Sequence, residues 1–224
     1  MKQDALKFIQ KSFVLLTCVT VVSIFATFLI HANIGMGSVE ALNSSMGLLT
    51  GIKIGTVAVI INVFLILLQI IILRKEFQLI QLLQLPIVLL QGTIINFFLY
   101  EILHTVQFDS YMERLIIVIV CSVINGIMLG LLASIQFISF PLEAACLAIH
   151  QKMNWDFGKV RFSFDIFNML FSLAISLYLS SHLNVREGTI ISGILFSLVI
   201  GYSYQFFKRQ QWVQRMLKKG GRFL

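Results

Sequence analysis

Charge is what this sequence has least of. Asp, Glu, Lys and Arg together make up 12% of its 224 residues, where a water-soluble domain carries about a quarter. So little polar surface could not cover the chain in water, which argues against an ordinary soluble enzyme or binding module. Cysteine is scarce too. Cys18, Cys121 and Cys146 are odd in number and mostly fall inside apolar runs, so neither a disulfide framework nor a metal spacing follows, and they read as small buried hydrophobes. Catalytic signatures are also missing: the sequence has no HExxH, CxxC, GxSxG or phosphate-loop pattern. No enzyme activity, cofactor or metal is therefore expected, although Glu40, Glu143 and Asp165 have the chemistry for acid–base work.

What the chain has in abundance is apolar sequence, 58% hydrophobic residues with a mean hydropathy of +0.92. About 20 apolar residues in a helix cross the hydrocarbon of a bilayer. Six segments qualify, at 12–31, 55–73, 82–103, 115–138, 162–181 and 188–207. Each must be helical, because unpaired backbone groups in lipid cost several kcal/mol apiece. The first follows Lys2, Lys7 and Lys11 as a signal peptide would, but it is long and lacks a small-x-small cleavage site. It is read as a retained first span. The connectors 32–54 and 139–161 each hold a half-apolar stretch of about a dozen residues, a length suited to a re-entrant or interfacial helix.

The net charge of +7 would fit nucleic acid, but its placement fits a membrane. With the N-terminus inside, Lys2, Lys7, Lys11, Arg74, Lys75, Lys152, Lys159, Arg161 and the basic residues after Phe207 all face one side. Only Lys53, Arg114 and Arg186 face the other. That is the positive-inside pattern of a plasma-membrane protein with both termini cytoplasmic. The tail from Lys208 to Lys219 reads as a stop-transfer flank with Trp212 at the interface, with anionic lipid or a protein partner as the alternative contact.

The two halves of the chain are similar. A shift of 103 residues aligns Ser12–Leu73 with the second half without a gap, pairing Cys18 with Cys121, Glu40 with Glu143, Gly55 with Gly158 and Phe64 with Phe167. At a shift of 96, "GTII" at 92–95 recurs at 188–191. The fold expected is an all-α membrane protein of six transmembrane helices in two inverted three-helix repeats, about 12–103 and 115–207, with a basic tail at 208–224. Each repeat carries one short re-entrant or interfacial helix. Three spans per repeat force the second to enter from the opposite side, around an axis lying in the membrane plane.

The repeat singles out Glu40 and Glu143. If Gly37 and Phe140 are N-caps, each glutamate takes the third helical position, with Pro141 at the first. There a carboxylate gains about 0.3–1 kcal/mol from the helix dipole, less than the ~2.5–3.5 kcal/mol that insertion scales assign to a charge at mid-membrane. At depth the pair would need a partner. The other candidate binding residues are Asn62 and its repeat counterpart Asp165, Asn96 opposite Ser192, and His31 at the end of the first span. Each has a structural alternative. Arg161 and Asp165 are spaced i,i+4 for an ion pair, asparagines join helices, and a lone interfacial histidine need neither titrate nor bind. Asn125 and Asn168 complete the polar set, and Ser23, Ala26, Gly126 and Gly130 suit close helix packing.

Ala32–Gly55, "ANIGMGSVEALNSSMGLLTGIKIG", resembles the YczE/YyaS/YitT group of bacterial integral membrane proteins. Those tend to read A-x-L-G-x-x-P-W-D-x-L and then T-G-x-S-x-G. Ile34-Gly35 stands for L-G, Ser38-Val39-Glu40 for P-W-D, and Thr50 to Gly55 for the second motif. The Pro-Trp pair is lost in the first half, while Pro141 keeps a proline in the second. The resemblance implies topology and an acidic position, in a largely uncharacterised group. Together these readings favour a small-solute or ion transporter, or its substrate-binding membrane subunit, with the site between the repeats. An energy-coupling-factor importer component is one variant, and any active pumping would use a separate energising subunit. The competing class is a non-transporting regulator or assembly partner of another membrane complex. Expected partners are membrane lipids and a small molecule or ion, with no nucleic acid.

Overall fold

The computed structural model describes residues 2–179 and 186–217. The expected end of the fifth span at 181 and the last residues of the basic tail lie outside them. Among the described residues the chain is helical throughout, without strands. Its helices are α1 (Lys2–Ala32), α2 (Ser38–Thr50), α3 (Ile54–Leu73), α4 (Gln84–Phe97), α5 (Tyr111–Ile135), α6 (Pro141–Met153), α7 (Phe157–Tyr178), α8 (Glu187–Arg209) and α9 (Gln211–Leu217). Six segments are long and apolar enough to cross a membrane: Leu6–Ala32, Ile54–Glu76, Leu79–Thr105, Tyr111–Ile135, Phe157–Tyr178 and Gly188–Arg209. The multi-pass, all-helical architecture read from the sequence is thus present.

Helix ends depart from the apolar runs where local chemistry overrides hydropathy. α5 starts at Tyr111, before its apolar run, because Ser110 and Glu113 form a capping box. α7 starts at Phe157 because the Asp156 carboxylate accepts from the Lys159 N–H at 3.0 Å. The third span is not uniform. α4 passes into a π-helical turn at Phe98–Ile102 and then a 3-10 turn at Leu103–Thr105.

α1 and α5 pack together at the centre, α4 lies on α1, and α8 lies on α5. Gly126 and Gly130 let α8 approach closely, since a methyl group on either would collide with Val199 or Ser203. The two short helices cross over between halves, α2 against α7 and α6 against α3. α9 turns back so that Val213 is fully buried among Leu15, Val19, Leu132, Ile135 and Ile138. The start of the tail is therefore packed into one end of the bundle as well as flanking a span. Trp212 is half-exposed with its ring edge-on to Phe207. The three cysteines are buried thiols.

Candidate functional site

α2 and α6 begin alike. Gly37 and Phe140 are the N-caps, which puts Glu40 and Glu143 at the third position of their helices. The helices also end alike, on left-handed residues Gly51 (φ 71°) and Asn154 (φ 52°). The chain enters both connectors through left-handed residues too, Asn33 (φ 52°) and Gln136 (φ 45°). Asparagine and glycine tolerate that conformation better than most residues, and at Gln136 it must be held by the surrounding packing.

The starts of both short helices meet on one face of α7. Arg161 pairs with Asp165 one turn along its own helix and, through Nε, with Glu143 Oε1 of α6 at 3.7 Å. Asp165 also accepts a hydrogen bond from the Ser38 hydroxyl, at the first position of α2. Two helical turns further along, Ser45 and Ser172 bond at 2.7 Å, and the Ser172 hydroxyl donates to the Ala41 carbonyl at 3.1 Å. α2 and α7 therefore run side by side, with Ser38 beside the ninth residue of the 22-residue α7. Asp165 and Arg161, the ninth and fifth residues of α7, thus place their charges in the first half of a span-length helix.

Glu40 completes the group. It lies within electrostatic reach of Arg161, Asp165 and Glu143, and its carboxylate folds back so closely over Gly37 that a Cβ there would overlap Oε2. The cluster is therefore three carboxylates from three helices around one guanidinium. It is not sealed: the side chains of Arg161, Asp165 and Glu143 remain 23%, 29% and 36% exposed. Asn43, one turn past Glu40, is buried with no partner for its Oδ1.

Glu40, Glu143 and Asp165 are thus brought together, and the other candidates lie elsewhere. Asn62 is half-buried on α3, and no hydrogen bond joins it to the cluster among the described residues. Asn96 fastens α4 to the start of α3, accepting from the Gly55 N–H and donating to the Thr56 hydroxyl, both at 2.9 Å. His31 bonds the Val106 carbonyl at 2.7 Å and stacks edge-on with Phe108. Two members of the group, Arg161 and Ser38, are not among the site residues that the sequence marks. The signal for Arg161 was its i,i+4 spacing from an acid, which reads as an already satisfied pair. Ser38 enters the sequence only as the counterpart of the proline in P-W-D, which says nothing of a hydroxyl donating to Asp165.

The match of the two "GTII" segments at offset 96 does not carry into the structure. α4 and α8 start at Gln84 and Glu187, an offset of 103, so Gly92 is the ninth residue of α4 whereas Gly188 is the second of α8. A four-residue apolar match has little information to fix a register.

Among known proteins, no curated sequence and no solved structure matches this chain. A family model does, from residue 9 to residue 205 and so over most of the length. The chain belongs to the family of unknown function DUF6198.

Proposed function

We propose that this protein is a small-solute or ion transporter, or the substrate-binding membrane subunit of one, with its site at Arg161, Glu143, Asp165 and Glu40. One observation carries the reading. Two glutamates 103 residues apart, each at the third position of a short helix, converge on a single arginine inside a bundle of apolar spans. Intramembrane ionisable groups are costly and are kept where a substrate, ion or proton passes.

The inverted-repeat reading supports this site. The starts of α2 and α6, of α3 and α7, and of α4 and α8 all differ by 103, and the short helices pack crosswise. In such transporters the site lies where discontinuous helices from the two repeats meet. In that frame α2 and α6 are re-entrant, entering from opposite faces, and both termini are cytoplasmic in the plasma membrane. Kinship with the YczE/YyaS/YitT group belongs to the same reading.

Charge suggests the class of substrate. Three carboxylates face one guanidinium. The positive ends of α2 and α6 offset part of the remainder, each worth roughly half a charge. About one negative charge is left over, which fits a proton, a monovalent cation or a basic solute. The test is uptake of such cations into proteoliposomes containing the purified chain. Glu40→Gln and Glu143→Gln are expected to abolish uptake while the protein stays monodisperse. Wild-type uptake by both variants would overturn the assignment.

A further inference from the structure

One face of α7 is polar along most of its length. Arg161, Asp165, Asn168, Ser172 and Ser176 follow the i, i+4, i+7, i+11, i+15 rhythm of a single helix side. The last three are buried, while Phe162, Ile166, Leu170 and Leu177 on other sides are exposed. α2 covers the polar side. Ser38 donates to Asp165, and Ser45 bonds Ser172 at 2.7 Å. Both pairs are 127 residues apart, so α2 runs parallel to α7 along a seam that starts at the charged cluster. From Asp165 to Ser176 the seam is ~16 Å long at the helical rise per residue. It ends two residues short of Tyr178, where α7 stops.

The likeness of the two halves does not require this face. In α3, 103 residues earlier, the same positions are Ala58, Asn62, Leu65, Gln69 and Leu73, apolar at both ends and in the middle. Nor does helix joining account for all of it. Hydroxyls do join helices in membranes, and Ser38 and Ser45 do so here. Asn168 does not. It lies between Asp165 and Ser172 on the face that α2 covers, only 6% exposed, and makes no hydrogen bond among the described residues. A buried amide without a partner costs stability, so its place in the middle of the seam points to a polar occupant.

We propose that the seam between α2 and α7 is the route by which a proton or small cation travels between the Arg161 cluster and the face where α7 ends. This rests on the transport reading above and adds a path to its site. The two parts of the route differ in this structure. Arg161, Asp165 and Glu143 are partly exposed, whereas Ser45 and Ser172 are fully buried. The cluster is therefore open to its surroundings and the seam beyond it is closed. Serine and asparagine side chains each donate and accept. When α2 parts from α7 they can therefore bond a hydrated ion instead of one another.

Thiol accessibility tests this without any uptake assay, so its failure is distinct from failure of the proposed site at Arg161. Asn168→Cys, Ser172→Cys and Ser176→Cys in the full chain are each reconstituted in vesicles. Leu170→Cys, on an exposed side of α7, is the control, and the buried native cysteines set the background. The probes are two water-soluble methanethiosulfonates, one carrying a trimethylammonium group and one a sulfonate, offered to both sides. A thiol reacts as its thiolate, and a charged reagent avoids hydrocarbon. The seam cysteines should therefore react with the cationic reagent at least about tenfold faster than Leu170→Cys does. They should also prefer it to the anionic reagent, because the cluster carries more carboxylates than guanidinium groups. Seam positions as inert as Leu170→Cys would make the seam sealed packing and overturn the route. Equal reaction with the two reagents, or a preference for the anionic one, would overturn it as a path for cations. Inert seam cysteines in a protein whose Glu40→Gln variant has lost uptake would overturn the route and leave the site standing.

Discussion

Gln69 of α3 and Gln84 of α4 hold each other by two reciprocal amide hydrogen bonds of 3.2 Å, both side chains fully buried. The second N–H of Gln69 donates to the Pro141 carbonyl of α6 at 3.1 Å. One side chain thus fastens three helices, and it does so at the start of the short helix that carries Glu143. Amide pairs suit this role in a membrane, where water cannot compete for the bonds.

Replacing Gln69 with leucine keeps most of its volume but leaves the Gln84 amide without its partner and removes the tie to the Pro141 carbonyl. The expected cost is about 1–2 kcal/mol, near the upper range of interhelical hydrogen bonds in membranes. Thermal unfolding in detergent should show Gln69→Leu less stable than wild type. The double variant Gln69→Leu/Gln84→Leu should recover part of the loss, because the orphaned Gln84 amide is then removed. A double variant less stable than Gln69→Leu would show that the pair does not act as a unit.

Gly37 should matter to Glu40 and little to the fold. Its φ of −57° is ordinary for any residue, so alanine there brings no backbone strain. The added Cβ would overlap Glu40 Oε2 and push that carboxylate off the start of α2. Gly37→Ala is expected to reduce uptake at least as far as Glu40→Asp does, with a thermal midpoint close to wild type. Gly51→Ala is the contrasting control. Gly51 stands at φ 71° in a left-handed cap, so a side chain should cost about 1 kcal/mol of stability without touching Glu40.

Much of this architecture was legible because lipid imposes a simple rule. A span must be apolar and helical, so the six runs, the two connectors and the N-cap positions of Gly37 and Phe140 could be read from composition and spacing. The glutamates were legible as a pair because they recur in the same local context. Their meeting point was not. Arg161 reaches Glu143 across two helices, and nothing local in "VRFSFD" reveals that its partners extend beyond Asp165. The burial of Val213 was hidden for a related reason: seven residues with a basic flank look like a surface tail until the pocket between α1 and α5 exists to receive them.

Arg161 is the common counter-charge, so its loss should be worse than the loss of any one carboxylate. Arg161→Met leaves Glu143 and Asp165 facing each other with Glu40 nearby. Breaking a buried ion pair costs about 3–5 kcal/mol, and with a quarter to a third of these side chains exposed about 1–2 kcal/mol is the better expectation. Asp165→Asn should be milder, since an amide oxygen still accepts from Ser38. Combining Arg161→Met with Asp165→Asn should restore part of the stability lost in Arg161→Met. Additive destabilisation in a double-mutant cycle would mean that the two side chains do not interact.

Orientation can be tested through residues at the two ends of the bundle. Glu76 lies at the end of α3 in an ion pair with Lys152 at 2.6 Å, and Asp109 lies in the loop before α5. If basic residues mark the cytoplasmic side, these positions face opposite compartments. The native cysteines are buried, so they contribute little background to thiol labelling. A membrane-impermeant maleimide applied to intact cells should label Asp109→Cys and spare Glu76→Cys, and opening the cells should expose Glu76→Cys. Labelling of Glu76→Cys alone in intact cells would invert the orientation. Equal labelling of both would place the two ends on one side, which no arrangement with three spans in each half can do.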